Sequence, residues 1–218
     1  MKNDQLLKKS GGMKRKFKFS EPFLKAEYIE NAANFTINSK TIAINADDTE
    51  IIIGGRPLKP WNSSIYSSVT ITKARKLICI TLDTDFFSFD SYPHANMLMD
   101  TWSHVYEIFS LPHLKDTKLW RSEKERLNNI EFNLWYAAAG TNCGIHNEHN
   151  FKELHTQIFG IGRMQKFYKN DHNSVYQDIF MSPGYTHEPF YDVYSNYPWH
   201  QYWADTDCIW LATEFYSE

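Results

Sequence analysis

The chain has 218 residues, of which 42% are hydrophobic and 16% aromatic, and its formal net charge is −3. That length suffices for a domain with a real core, and the near-neutral charge excludes the broadly basic surface of a nucleic-acid binder. No run of about 18 apolar residues is present to span a membrane, and three scattered cysteines (Cys79, Cys143, Cys208) without a CxxC pair exclude a disulfide framework or a zinc ribbon.

Residues 1–18 hold seven basic side chains against one acid, Asp4. They read as a basic, disordered tail, with docking to an acidic partner as the alternative. No apolar stretch marks a secretory signal there, so a cytoplasmic protein is expected, with neither membrane nor nucleic acid as partner. Short β-branched runs follow at Phe35–Ile37, Ile42–Ile44 and Ile51–Ile53, separated by turn-formers such as Asn38-Ser39 and Asp47-Asp48. Ile65–Thr72 and Leu77–Leu82 predict two strands of a hairpin turning at Lys73–Lys76. Met97, Trp102, Val105, Ile108 and Phe109 recur at three- and four-residue steps, which predicts a helix over 95–110. The charged stretch Leu119–Asn128 reads as a short helix or a loop. From Ile130 the strand texture returns, in Ile130–Ala138, Glu153–Phe159, Met164–Tyr168, Val175–Met181 and Cys208–Phe215. Many short strands at this spacing predict a sandwich or a barrel. Residues 19–128 are expected as N-terminal strands and a helix packed on a barrel core formed by 129–218, with 19–218 as one structural domain.

Six of the nine histidines lie between residues 146 and 200. The dense part runs from Gly140 to Gly160 and holds His146, Glu148, His149, Glu153, His155 and Gln157. Imidazole nitrogen together with carboxylate oxygen is a donor set that divalent transition metals favour. Residues two apart on a strand share a face. Glu153, His155 and Gln157 therefore form one polar face, opposite Leu154, Thr156 and Ile158, as suits a strand lining a polar pocket or metal site. His200 follows Tyr197-Pro198-Trp199 and reads as a loop histidine stacked on rings, while His94, His104 and His113 read as structural.

At this point the segment resembles the cupin superfamily. The first cupin motif is Gly, five residues, His-x-His, three or four residues, Glu, six residues, Gly. Gly140, His146, Glu153 and Gly160 match it; Glu148 replaces the second histidine, and His149 stands beside it. The second motif, Pro-x-Gly-x-x-His followed by Asn, is similar to Pro183-Gly184-Tyr185-Thr186-His187, with the proline moved by one and Tyr191 where Asn is usual. The resemblance covers roughly residues 130–215. It implies a mainly β, double-stranded β-helix (jelly-roll) barrel holding one divalent metal, Fe(II) favoured with Mn, Ni or Zn possible, on His146, Glu148 or His149, Glu153 and His187. His-x-Glu with a distant His is also similar to the facial triad of 2-oxoglutarate-dependent iron oxygenases, taking His146, Glu148 and His187. No Lys or Arg follows Lys169 to hold that cosubstrate, so Arg163 or Lys166 would have to serve.

The leading expectation is a mononuclear iron-dependent oxygenase acting on a small molecule, with His155, Gln157 and Glu148 as catalytic candidates. The alternatives are a metal-dependent sugar or hydroxy-acid isomerase or epimerase, and a non-catalytic ligand-binding or sensory barrel. A homodimer is expected from the habit of cupin-like barrels.

Overall fold

The computed structural model describes residues 13–21, 24–82, 93–192, 194 and 196–216. The chain divides into two compact units, one of residues 1–17 and 24–83, the other of residues 18–23 and 84–218.

The first unit is a β-meander. Its strands are β1 (Met13–Lys16), β2 (Lys25–Ile37), β3 (Thr41–Asn45), β4 (Ile51–Ile53), β5 (Arg56–Leu58), β6 (Ser63–Tyr66) and β7 (Val69–Thr81). They form a five-stranded sheet in the order β1-β2-β7-β3-β6 and a separate β4-β5 pair. Part of the expected tail, Met13–Lys16, is β1, paired antiparallel with Glu27–Glu30. The backbone ladder orders this basic segment, and composition does not reveal a ladder partner. The expected hairpin at Lys73–Lys76 is replaced by one unbroken strand. β7 runs through these charges with Lys73 and Arg75 exposed and Ala74 buried, paired along its length with β2. The turn lies earlier, where Ser68 adopts φ 53°. Alternation of this kind buries Ile29, Ile37, Ile71, Leu77 and Ile53 in the core of the unit.

The second unit holds α1 (Pro93–Thr101), β8 (Ser103–His104), α2 (Val105–Phe109), β9 (Leu119–Arg121), β10 (Glu125–Leu127), β11 (Ile130–Ala137), β12 (Lys152–Phe159), β13 (Gly162–Phe167), β14 (Val175–Met181), β15 (Trp199–Ala204) and β16 (Cys208–Phe215). The single helix expected over 95–110 is thus two helices, broken at Ser103–His104. There His104 leaves helical geometry, and its ring accepts a hydrogen bond from the Tyr106 N–H at 3.2 Å as the cap of α2. The Leu119–Asn128 stretch forms two short strands flanking β11.

One sheet runs β12-β16-β11-β9-β8, with β10 also on β11. Hydrogen bonds from Gly184, Gln157 and His187 carry it beyond β12 onto the segment 184–187. The other sheet is β14-β13-β15, extended by the 142–146 segment, which bridges Asn142 to Trp203 and His146 to His200. From β11 onward the chain passes repeatedly between the two sheets, and both contribute to one core: Ala137, Cys208 and Trp210 from the first, Met164, Tyr202 and Ala204 from the second. This is a double-stranded β-helix, the fold class expected from the motifs.

Gly160 shows why the first motif ends on glycine. Its φ is +71°, and a Cβ there would stand 1.9 Å from the Asp207 carbonyl oxygen. Only a residue without a side chain lets the β12–β13 turn pass the β15–β16 turn.

Candidate metal centre

His146, on the 142–146 segment, is exposed and lines the cavity, and His200 on β15 pairs with it directly. The N–H of each donates to the other's carbonyl, at 3.0 and 2.9 Å. Residues directly opposite one another on adjacent antiparallel strands bring their side chains close, and the two rings stand 4.4 Å apart between centroids. His149 joins them from the loop before β12, 4.9 Å from the ring of His146 and stacked on His200 at 5.0 Å. One ligand atom from each of these three histidines lies within 4.8 Å of the other two.

Hydrogen bonds orient the rings. The His146 Nδ1 lies 3.0 Å from the Gly144 carbonyl and the His200 Nδ1 lies 2.8 Å from that of Pro198. A carbonyl only accepts, so both Nδ1 atoms carry a proton, and in the buried, uncharged ring of His200 the Nε2 presents a lone pair. The Nε2 of His149 lies 3.0 Å from that of His200. Its Nδ1 looks toward Glu153 Oε2 at 3.9 Å. His146 and His200 thus each have a carbonyl oxygen behind the nitrogen that faces away from the cluster, the arrangement that fixes metal-binding imidazoles, while Glu153 faces His149 from beyond hydrogen-bond distance.

Burial keeps the rings of His149 and His200 neutral. It pulls His149 down to about 4, against the opposing charge of Glu153. Burial, reinforced by His146, holds His200 at about 2. For Glu153 burial alone would raise the carboxyl, but the charge and hydrogen bond of His155, with His149 and His146 behind them, bring it to about 2. His149 and His200 are therefore uncharged beside an ionised carboxylate at neutral pH, and with His146 they make a donor set that fits a divalent first-row ion. His146, His149 and His200 are the residues that could hold it.

The sequence-derived candidates separate as follows. His146 and His149 are in the cluster. Glu148 is exposed at the cavity rim, so of that pair it is His149 that turns inward. Glu153 stands behind the cluster, its Oε1 3.0 Å from His155 Nε2. His187 is outside this cluster: it is 1% exposed, and both its nitrogens are hydrogen-bonded. Its Nε2 accepts from the His155 N–H at 2.9 Å and its Nδ1 donates to the Glu188 carbonyl at 2.9 Å. It pins the 184–187 segment to β12 rather than presenting a free donor, and burial with the nearby His155 lowers it to about 3. Gln157 is likewise spent structurally. Its Nε2 donates to the Phe159 carbonyl at 2.8 Å, and its Oε1 accepts from the Tyr202 hydroxyl at 2.7 Å. His155 lines the cavity, and its Nδ1 is buried without a hydrogen-bond partner among the described residues.

His200 is the residue that sequence reasoning assigned to a loop. The expected aromatic neighbours are present, Phe190 edge-on at 4.9 Å and Tyr197 tilted at 5.4 Å, but the residue is on a strand. The signal was there in His200-x-Tyr202-x-Ala204, whose alternate side chains are buried.

The cluster borders a cavity of about 510 Å³ inside the second unit, walled on one side by Trp135, Trp210 and Tyr202 and closed on another by Val105 and Leu114. That volume is within the range of small-molecule sites.

No protein-family model matches the chain, and no curated protein matches it. Solved structures do. An RmlC-like cupin protein from Desulfovibrio desulfuricans is 21% identical, over 45% of this chain and 82% of its own, with a TM-score of 0.34. A cupin superfamily protein from Desulfitobacterium hafniense is 12% identical, over 49% of this chain and 90% of its own, at 0.35. A cupin 2 conserved barrel domain protein from Leptotrichia buccalis is 8% identical, over 96% of this chain and 91% of its own, at 0.35. The two interleaved sheets and the turn glycine make the second unit a double-stranded β-helix. No helix among the described residues is long and apolar enough to cross a membrane.

Proposed function

We propose that the cupin-like barrel is a mononuclear metal enzyme, with iron the favoured ion, that acts as an oxygenase on a small molecule held in the cavity. The observation that carries this reading is the convergence of three imidazoles, His146, His149 and His200, at the wall of a cavity large enough for a metabolite. An all-imidazole set suits iron, copper, nickel or zinc. A bound ion of this kind supplies Lewis acidity and, as iron, one-electron chemistry toward oxygen.

The protein's own groups divide the remaining work. The Glu153 carboxylate holds the Nε2–H of His155 at 3.0 Å. That bond leaves the His155 Nδ1 lone pair as the atom able to take a proton from a substrate group. The stacked rings of Trp135, Trp210 and Tyr202 exclude water from one wall. The carboxylate-backed His155 also favours a second reading, a metal-dependent isomerase, in which that same atom shuttles a proton.

Anaerobic purification from iron-supplemented cells, followed by metal analysis and an oxygen electrode with a metabolite panel, tests the reading. One iron per chain and substrate-dependent oxygen uptake are expected. Turnover without oxygen would favour the isomerase, and absence of stoichiometric transition metal would remove both.

A further inference from the structure

Resting on the reading of the barrel as a small-molecule enzyme, we propose that Arg121 anchors a substrate carboxylate, so that the cavity takes a small organic acid whose apolar body lies along the ring wall. Arg121 is on β9 and lines the same cavity as the three histidines. Among the described residues its guanidinium makes no hydrogen bond and no ion pair, and its Nε is buried without a partner. What holds it is aromatic: it lies 5.4 Å from the ring centroid of Phe109 and 5.8 Å from that of Trp135. Those two rings are themselves stacked, 6.4 Å apart with planes 10° from parallel.

The other charged groups on the cavity wall are already compensated or exposed. Lys124 pairs with Glu131 at 3.3 Å and with Glu214. Glu214 also accepts from Asn133 Nδ2 at 2.8 Å and from the Tyr216 hydroxyl at 2.7 Å. Glu153 pairs with His155, and Glu148 faces solvent. Arg121 is the cation left without an anion in contact among the described residues; Glu214 and Glu131 act on it only from a distance, and burial outweighs them. A half-buried charge without a counter-ion is costly to maintain, and a planar guanidinium fork matches a carboxylate in two parallel hydrogen bonds.

The wall beside it sets the orientation. From Phe109 and Trp135 the stack continues to Trp210 at 5.9 Å and to Tyr202 at 4.0 Å. Its far end meets His155, 6.0 Å from Trp210 and 6.2 Å from Tyr202. A ligand held by its carboxylate at Arg121 extends along these rings toward the His155 end of the cavity.

Binding of 3-phenylpropionate and of its neutral isostere 3-phenylpropionamide to the full chain, stripped with chelator, tests this by tryptophan fluorescence and saturation-transfer NMR at fixed ionic strength. The acid is expected to bind about tenfold or more tighter than the amide, the range for charge-assisted hydrogen bonds. Arg121→Gln is expected to erase that preference while circular dichroism stays unchanged, and Arg121→Lys to restore part of it. Equal binding of acid and amide by the wild type, binding of neither, or a preference surviving in Arg121→Gln would overturn the proposal. If Arg121→Gln fails to fold, the wild-type comparison and Arg121→Lys still decide. A parallel zinc titration of the wild type separates the two ideas, since loss of metal binding with the acid preference intact sinks the metal centre and leaves the anchor.

Discussion

Acidification should unfold the barrel well before its carboxylates titrate, because three of its histidines are buried neutral. In the unfolded chain each histidine titrates near 6.5, whereas in the fold His149 is held at about 4, His187 at about 3 and His200 at about 2. Below pH 6.5 the unfolded state therefore takes up protons that the folded state refuses, and stability falls as pH falls. Between pH 7.5 and 5.5 an unfolded histidine goes from about one-tenth to about nine-tenths protonated, which costs the fold roughly 1.3 kcal/mol per residue and about 4 kcal/mol for the three. None of the three is appreciably exposed, His149 having a side chain 6% exposed and the others less, so solvent screening takes little from this figure. Glu153 works in the same direction but only near and below its unfolded value, and contributes little in this window. The assay is urea unfolding in chelator followed by tryptophan fluorescence, since six of the seven tryptophans lie in the barrel unit. With a slope of about 2 kcal/mol per molar urea, the midpoint should drop by about 2 M from pH 7.5 to 5.5. A drop smaller than about 0.5 M, or a rise, would refute the reasoning.

Three further outcomes follow from the geometry. His187→Ala should leave metal affinity within a few-fold of wild type yet lower stability by about 1–3 kcal/mol, the cost of orphaning a buried N–H; parallel metal titration and urea unfolding check it. Glu153→Gln should weaken metal binding roughly 10-fold or more, as loss of groups behind metal-binding imidazoles does, measured by competition with a chromogenic chelator. Gly160→Ala should destabilise the barrel by roughly 3 kcal/mol through its positive φ and the clash with the Asp207 carbonyl, visible as a lowered midpoint in the same urea experiment.

The barrel was legible in the chain because its signals are local. Gly140, Gly160 and Gly184 all have positive φ, so the motif glycines mark real turns, and β12, β14 and β16 fall almost where β-branched and aromatic runs place them. The alternation of Glu153, His155 and Gln157 gave the inward face but not its depth. Glu153 and His155 reach the cavity, whereas Gln157 is captured by Tyr202, a residue 45 positions away. The same limit explains His187 and His200. Which histidine has a free nitrogen depends on backbone groups that strand pairing delivers, the His155 N–H for one and the Pro198 carbonyl for the other. Charge misled at Lys73–Lys76, where exposed lysines on a strand have the composition of a turn and only the partner strand β2 distinguishes the two. Arg121 was overlooked because β9 is too short to show a period, and its lack of a counter-ion is a property of the assembled wall.

The central claim is that His146, His149 and His200 bind one divalent ion together. Isothermal titration of the chelator-stripped full chain with Zn(II) at pH 7.5 tests it most directly, beside single alanine variants of these three residues and of His187. One equivalent should bind the wild type, with each of the three substitutions weakening it by more than the roughly 100-fold ceiling for outer-shell groups and His187→Ala leaving it nearly intact. Binding that survives the loss of His200 but vanishes with His187, or no binding at all, would contradict the account.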